Sequence, residues 1–209
     1  MKEALYALIL TAGLLAVFLA SNEVHRHNYP FYVSRKVAHF GAGVVIGVMP
    51  LLFTTWTWPA TLSLGFLLLL AATHRTELWH GFARPGRLAE VAFALSVLVS
   101  IGAAWRVNPW LGVMPGLFMA FGDGVSGIVR FFVYHREVKG WWGSLACLGA
   151  CAILALLISP YWIGLAGAVA FTLAEKLCGD VGRIKIDDNL AAPLFSLAVM
   201  LPLYFLAGG

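Results

Sequence analysis

Between Glu3 and Glu23 the chain carries no charged residue, between Lys36 and Arg75 none, and between Lys139 and Glu175 none. Runs of that length leave too little polar surface for a fold in water, where about a quarter of residues are charged. Here 11% of 209 residues are charged and 61% are hydrophobic, with 13% aromatic. A soluble globular fold is thereby excluded, and so is disorder, which needs a polar chain poor in aromatics. An integral membrane protein remains. Residues 5–20 show no in/out alternation of the kind a barrel strand needs, so the spans are expected to be helices.

The charges divide the chain into an expected all-α, polytopic membrane domain of about eight helices, covering residues 1–209. The first span falls at 5–20. Two lie between Lys36 and Arg75, separated near Pro50 and Pro59, and a fourth occupies 91–105. A fifth begins over 109–122 and then meets Asp123 and Arg130. Two more share 140–174 around Ser159-Pro160, and the last covers 190–207. Several fall short of the roughly 20 residues a bilayer requires, so their ends extend into the polar flanks. The first run outlasts the ~7–15 apolar residues of a signal peptide and reads as a retained span. Cys147, Cys151 and Cys178 sit in or at the end of apolar runs and read as buried thiols, and a Cys-x3-Cys pair alone makes no metal site.

Eight spans sort the basic residues sharply. One face receives Arg26, Arg35 and Lys36, then Arg75, Arg84 and Arg87, then Arg130, Arg136 and Lys139, then Lys176, Arg183 and Lys185; the other holds only Lys2 and Arg106 of the fourteen. By the positive-inside rule the crowded face is cytoplasmic and both termini lie outside. Every acid except Glu3 lies in or beside the same four loops, Glu137 among them. Acids have little influence on topology, so their gathering there marks a polar site.

Three segments carry chemistry. Gly122-Asp123-Gly124-Val125-Ser126-Gly127 matches G-x-G-x-x-G without the βαβ setting of a dinucleotide site. Its glycines would still let backbone N–H groups approach an anion at a helix N-terminus. Asp123 interrupts an apolar run, where a carboxylate costs about 2.5–3.5 kcal/mol near a span centre; it reads as a metal ligand or base, or else as a solvated helix break. Arg130, two turns on and roughly on the same face, leads to Arg136, Lys139, Gly143 and Ser144. These suit a polyphosphate, or equally a basic interfacial loop anchored by Trp141 and Trp142. Asp187-Asp188-Asn189 supplies hard oxygen donors before the last span, suited to Mg²⁺ with substrate phosphates or to helix capping. Arg35, Lys36 and His39 open the second span and face that site or the interface.

The succession Arg35-Lys36…His39, Gly122-Asp123-Gly124…Arg130, Lys139…Gly143-Ser144, Glu175 and Asp187-Asp188-Asn189…Pro193 resembles the dolichol kinase and phytol kinase family of polytopic lipid kinases, a group related to the phosphatidate cytidylyltransferases. It departs from the family pattern at Gly140, where a hydroxyl residue is usual, and at Trp142, where a glutamate is usual; ATP or UTP therefore stands beside CTP as donor. The resemblance implies transfer of the γ-phosphoryl group of CTP to an isoprenoid alcohol. It implies Mg²⁺ at Asp123 and Asp188, supported by Asp187 and Glu175. Arg130, Lys139 and Ser144, with Gly122, Gly124 and Gly143, would hold the triphosphate, and Asn189 would orient it or the ribose. Asp123 or Asp187 would take the hydroxyl proton, and Arg35, Lys36 and His39 would contact substrate or phosphate. The expected partners are a nucleoside triphosphate and a membrane lipid alcohol, not a nucleic acid. Two other readings are a cytidylyltransferase acting on a lipid phosphate, whose His-Gly-Gly…Asp-Arg ending is missing here, and a small transporter. A transporter would put polar residues near span centres in both halves of the chain, whereas these gather at one face.

Overall fold

The computed structural model describes residues 2–135, 139–178, 180–181, 184–185 and 187–209. Arg136, Glu137 and Arg183 of the charged loops lie outside the described residues. Among the described residues eight helices follow one another: α1 (Lys2–Arg26), α2 (Phe31–Leu52), α3 (Thr57–Thr73), α4 (Ala89–Ala104), α5 (Pro109–Tyr134), α6 (Trp141–Ala155), α7 (Tyr161–Leu177) and α8 (Asp188–Leu206). The regular strand pairing among the described residues is a two-residue antiparallel ladder, Asp180–Val181 with Ile184–Lys185. Of the helices, α1, α2, α5 and α8 are long and apolar enough to cross a membrane, and α3, α4 and α6 are shorter apolar helices.

The helices extend beyond the expected spans because charged ends continue the helical turn. The first is 25 residues long, and the fifth runs through Asp123 to Tyr134 rather than breaking there. Helix α5 starts on a strong signal: the Asn108 side chain accepts from the backbone N–H of Trp110 at 2.9 Å, with Pro109 at the first helical position. Pro115 has no N–H to give, and a π-helical segment follows at Phe118–Asp123. Left-handed His135 (φ 50°) ends the helix. Leu111, Met114, Leu117 and Phe118 are fully buried, since α5 is packed against α2, α4, α6, α7 and α8.

Large apolar side chains face outward as well as inward, unlike those of a protein in water. Leu8 (66% exposed) and Ile153 (72%) point outward, as do Leu68, Leu145 and Phe195, while Ser96, Ser100 and Ser196 are fully buried. Those serines donate to the carbonyls of Phe93, Ser96 and Pro193, so their hydroxyls are satisfied within their own helices. Small hydroxyl residues inside and large apolar ones outside are the pattern of helices packed in lipid.

The loop between α3 and α4 folds back onto the bundle. Asn22 holds it with both ends of its amide: Nδ2 donates to Leu78 O at 2.8 Å, and Oδ1 accepts from Gly81 N–H at 2.9 Å. Gly81 has to be glycine, because a Cβ there would collide with the Ser21–Asn22 backbone. Trp79 and Phe82 of this loop pack their rings on Phe18. The Asn22→Ala variant, leaving a buried donor and acceptor unpaired, is expected to lose about 1–3 kcal/mol. Denaturant unfolding in detergent, with limited proteolysis of residues 74–88, checks this; unchanged stability and protease resistance would contradict it.

Candidate functional site

Charged side chains from five helices meet at one end of the bundle. Lys36, in the second turn of α2, donates through Nζ to the Asp123 carboxylate and to the Asp123 carbonyl, both at 3.1 Å. Gly127 makes this approach possible, since a Cβ would stand 2.7 Å from Lys36 Cε and Nζ. One turn along α2 from Arg35, the His39 ring contacts the Arg35 carbonyl through Nδ1 at 3.0 Å. A carbonyl only accepts, so Nδ1 carries the hydrogen, and in the neutral ring Nε2 keeps its lone pair. Nε2 lies 4.0 Å from Asp123 Oδ2, is buried and has no hydrogen-bond partner. Arg35 reaches Glu90, in the first turn of α4, at 3.7 Å.

A second cluster joins α5, α7 and α8. Arg130 donates from Nη2 to both oxygens of Glu175 at 2.9 Å, and Glu175 is 1% exposed. Lys139 donates to the carbonyls of Glu175 and Cys178, closing the C-terminus of α7, and to Asp188 Oδ2 at 2.9 Å. Asp187 caps α8: its Oδ1 accepts from Asn189 N–H and from Asn189 Nδ2, both at 2.9 Å.

Between the clusters lies a cleft of ≈ 540 Å³ lined by the basic residues Arg35, Lys36, Arg84, Arg87, Arg130 and Lys139 and the acids Glu90, Asp123 and Asp188. Tyr32, Phe31 and His135 complete its rim. The excess of cations and the mouth at the bundle end suit a polyanion. Among the described residues no three or more His, Cys, Asp and Glu side chains gather as a metal site.

The sequence-level candidates separate on this geometry. Arg35, Lys36, Asp123, Arg130, Lys139 and Asp188 share the cleft; His39 and Asn189 line an apolar slot that has Arg35 and Glu90 in common with it. The glycine cradle is corrected. Gly122 and Gly124 lie within α5, against Cys151 and Phe40, so their N–H groups belong to a continuing helix and not to a helix start. Gly143 packs on the Arg130 side chain. Ser144 is buried on α6, off the cleft lining, with its Oγ unpartnered. Glu175 serves Arg130, and Asp187 serves its own helix. Cys147 and Cys151 are buried free thiols as expected, whereas Cys178 is only half-buried. Burial pushes the Cys178 thiol up despite Lys139 nearby, which keeps it protonated and a poor nucleophile.

Arg84, Arg87 and Glu90 were missed as site residues. Their signal was available, since they crowd the start of α4, but a charged loop next to a membrane helix usually just faces water.

These features define a helical membrane protein with a charged cleft at one end of its bundle. No family model matches the chain, and neither the curated proteins nor the solved structures contain a match to it.

Removing one partner of a buried ion pair strands the other, at about 3–5 kcal/mol. Arg130→Ala is expected to destabilise by that order, and Arg130→Ala with Glu175→Gln by less. Unfolding of both variants in detergent checks it; equal losses, or none, would contradict it.

Proposed function

We propose that this chain is a lipid kinase that transfers the γ-phosphoryl group of CTP to the hydroxyl of an isoprenoid alcohol. The observation carrying this reading is the cleft itself: six cations with the carboxylates Asp123 and Asp188, which pair with Lys36 and Lys139, beside an apolar slot that shares Arg35 and Glu90 with it. An amphiphile and a polyanion can meet there. The resemblance along residues 35 to 193 adds the reaction type.

Phosphoryl transfer asks a protein mainly for positioning and charge stabilisation. Arg84, Arg87 and Arg130 would hold the triphosphate, with Lys36 beside the transferred group. Asp123 would take the hydroxyl proton as the alcohol oxygen bonds to the γ-phosphorus and the bond to the β-phosphate oxygen breaks, releasing CDP and a lipid phosphate. Asp187 is the weaker choice as base, since its Oδ1 already accepts two hydrogen bonds. Asp123 and Asp188 match the one or two carboxylates that Mg²⁺ uses when phosphates supply the remaining ligands, so the fit is to a nucleotide-borne ion. Bound that way, Mg²⁺ would neutralise charge on the phosphates. Glu175, committed to Arg130, would support from behind. All eight helices would span the bilayer, with the cleft cytoplasmic by its Lys/Arg excess and both termini outside.

The purified protein, given Mg²⁺, labelled CTP and a panel of lipid alcohols, is expected to yield CDP and phosphorylated lipid in equal amounts. Asp123→Asn should reduce turnover by roughly 10²–10⁴-fold. Pyrophosphate released only with a lipid phosphate would point to a cytidylyltransferase. No turnover with CTP, ATP or UTP would overturn the reading.

A further inference from the structure

An apolar slot runs up between α1, α2, α3 and α4 from the charged end of the bundle. Its mouth is Arg35, His39, Glu90 and Asn189, and two of these, Arg35 and Glu90, also line the cleft. Along α2 it extends from Arg35 to Met49, a climb of roughly 21 Å at about 1.5 Å per residue. Small side chains make the space: Ala38 and Ala42 on α2, Ser63 on α3 and Ala94 on α4. The volume is ≈ 80 Å³. A water needs about 10–15 Å³ by the same measure, so the slot holds on the order of five to eight water-sized positions strung over that length. Averaged over that length, those positions form a single file.

Three buried polar atoms without hydrogen-bond partners are on residues lining this slot, the first being Arg35 Nε at its charged end. His39 Nε2 stands at the mouth and Ser63 Oγ lies deeper, each on a residue only 6% exposed. An unpaired Nε2 lone pair beside Asp123 awaits a donor, and burying it unpaired is unfavourable. An apolar passage ending at such an acceptor fits a molecule with one long tail and one terminal hydroxyl.

We propose that the slot is the tail site of a single-chain alcohol. In the resting complex the hydroxyl donates to His39 Nε2, and during transfer it turns to Asp123 Oδ2, 4.0 Å from that nitrogen; the tail tip reaches Met49, and the narrow passage excludes two-chain lipids such as diacylglycerol. The identity of the alcohol as a phosphoryl acceptor rests on the kinase reading; occupation of the slot by a single-chain tail does not. The slot floor then sets the tail length, with Ser63 and Met49 as specificity-determining positions.

The test uses the full chain in detergent without nucleotide and a diterpenoid alcohol carrying a diazirine at its tail end. Irradiation is expected to label residues around Ser63 and Met49, and excess single-chain alcohol should compete at least about tenfold better than diacylglycerol. Ser63→Phe should cut labelling about tenfold or more by filling the passage, while still unfolding cooperatively in detergent as the parent chain does, a check on folding. Met49→Ala should shift the preferred tail to a longer one, a gain that misfolding does not produce. Label confined to outward residues such as Leu64 and Leu68, or equal competition by diacylglycerol, would overturn the tail site. Label in the slot with no phosphoryl transfer to any alcohol would sink the kinase reading and leave the tail site standing. Turnover of alcohols with label outside the slot would do the reverse.

Discussion

A carboxylate inside an apolar bundle must find a cation, because leaving it ionised and alone costs far more than the fold can supply. Everything distinctive about this molecule's polar end follows from meeting that demand, three times within hydrogen-bond distance and once more loosely, where Arg35 reaches Glu90 at 3.7 Å. Asp123 on α5 takes Lys36 from α2; Glu175 on α7 takes Arg130 from α5; Asp188 on α8 takes Lys139 from the loop ahead of α6. Each pair joins elements distant in sequence, so the charges that make the site also fix α2, α5, α7 and α8 against one another. Lys139 extends the effect by closing the last carbonyls of α7.

The opposite end of the bundle has a lighter construction. Glu3 accepts from Thr54 and Thr55, Arg106 lies over the Trp56 ring at 4.1 Å, and Asn108 donates to the Tyr204 hydroxyl at 3.2 Å. These contacts close loops without enclosing a charged cavity. Concentrating the polar groups at one end favours chemistry at a membrane interface over passage through the bundle. The cleft and the slot together place a cationic chamber beside an apolar one, with Arg35 and Glu90 lining both.

Much of the architecture was legible in the sequence, since charge-free runs and the positions of Pro50, Pro59 and Pro160 divide the chain into the helices found. Helix ends were not, because residues such as Glu23, Arg26 and Arg130 extend helices beyond the apolar stretch. Asp123 was recognisable as costly, but its partner Lys36 lies 87 residues away, and only packing of α2 on α5 reveals it. The Gly-Asp-Gly segment misled for a local reason: glycine spacing does not tell whether the backbone N–H groups are already committed to a helix. Asp187 illustrates the same limit, as a capping carboxylate and a ligand have one sequence signature. The slot was invisible because Ala38, Ala42 and Ala94 look like ordinary close-packing residues until facing helices fail to fill the gap.

The central claim is that the charged cleft binds a nucleoside triphosphate. Equilibrium binding of a non-hydrolysable CTP analogue with Mg²⁺ to the detergent-purified chain tests it without requiring turnover or a lipid. The account expects saturable binding that falls steeply with salt and weakens about tenfold or more when Arg84 and Arg87 are both replaced by alanine. Absence of saturable binding by any nucleoside triphosphate, in protein that unfolds cooperatively, would contradict it.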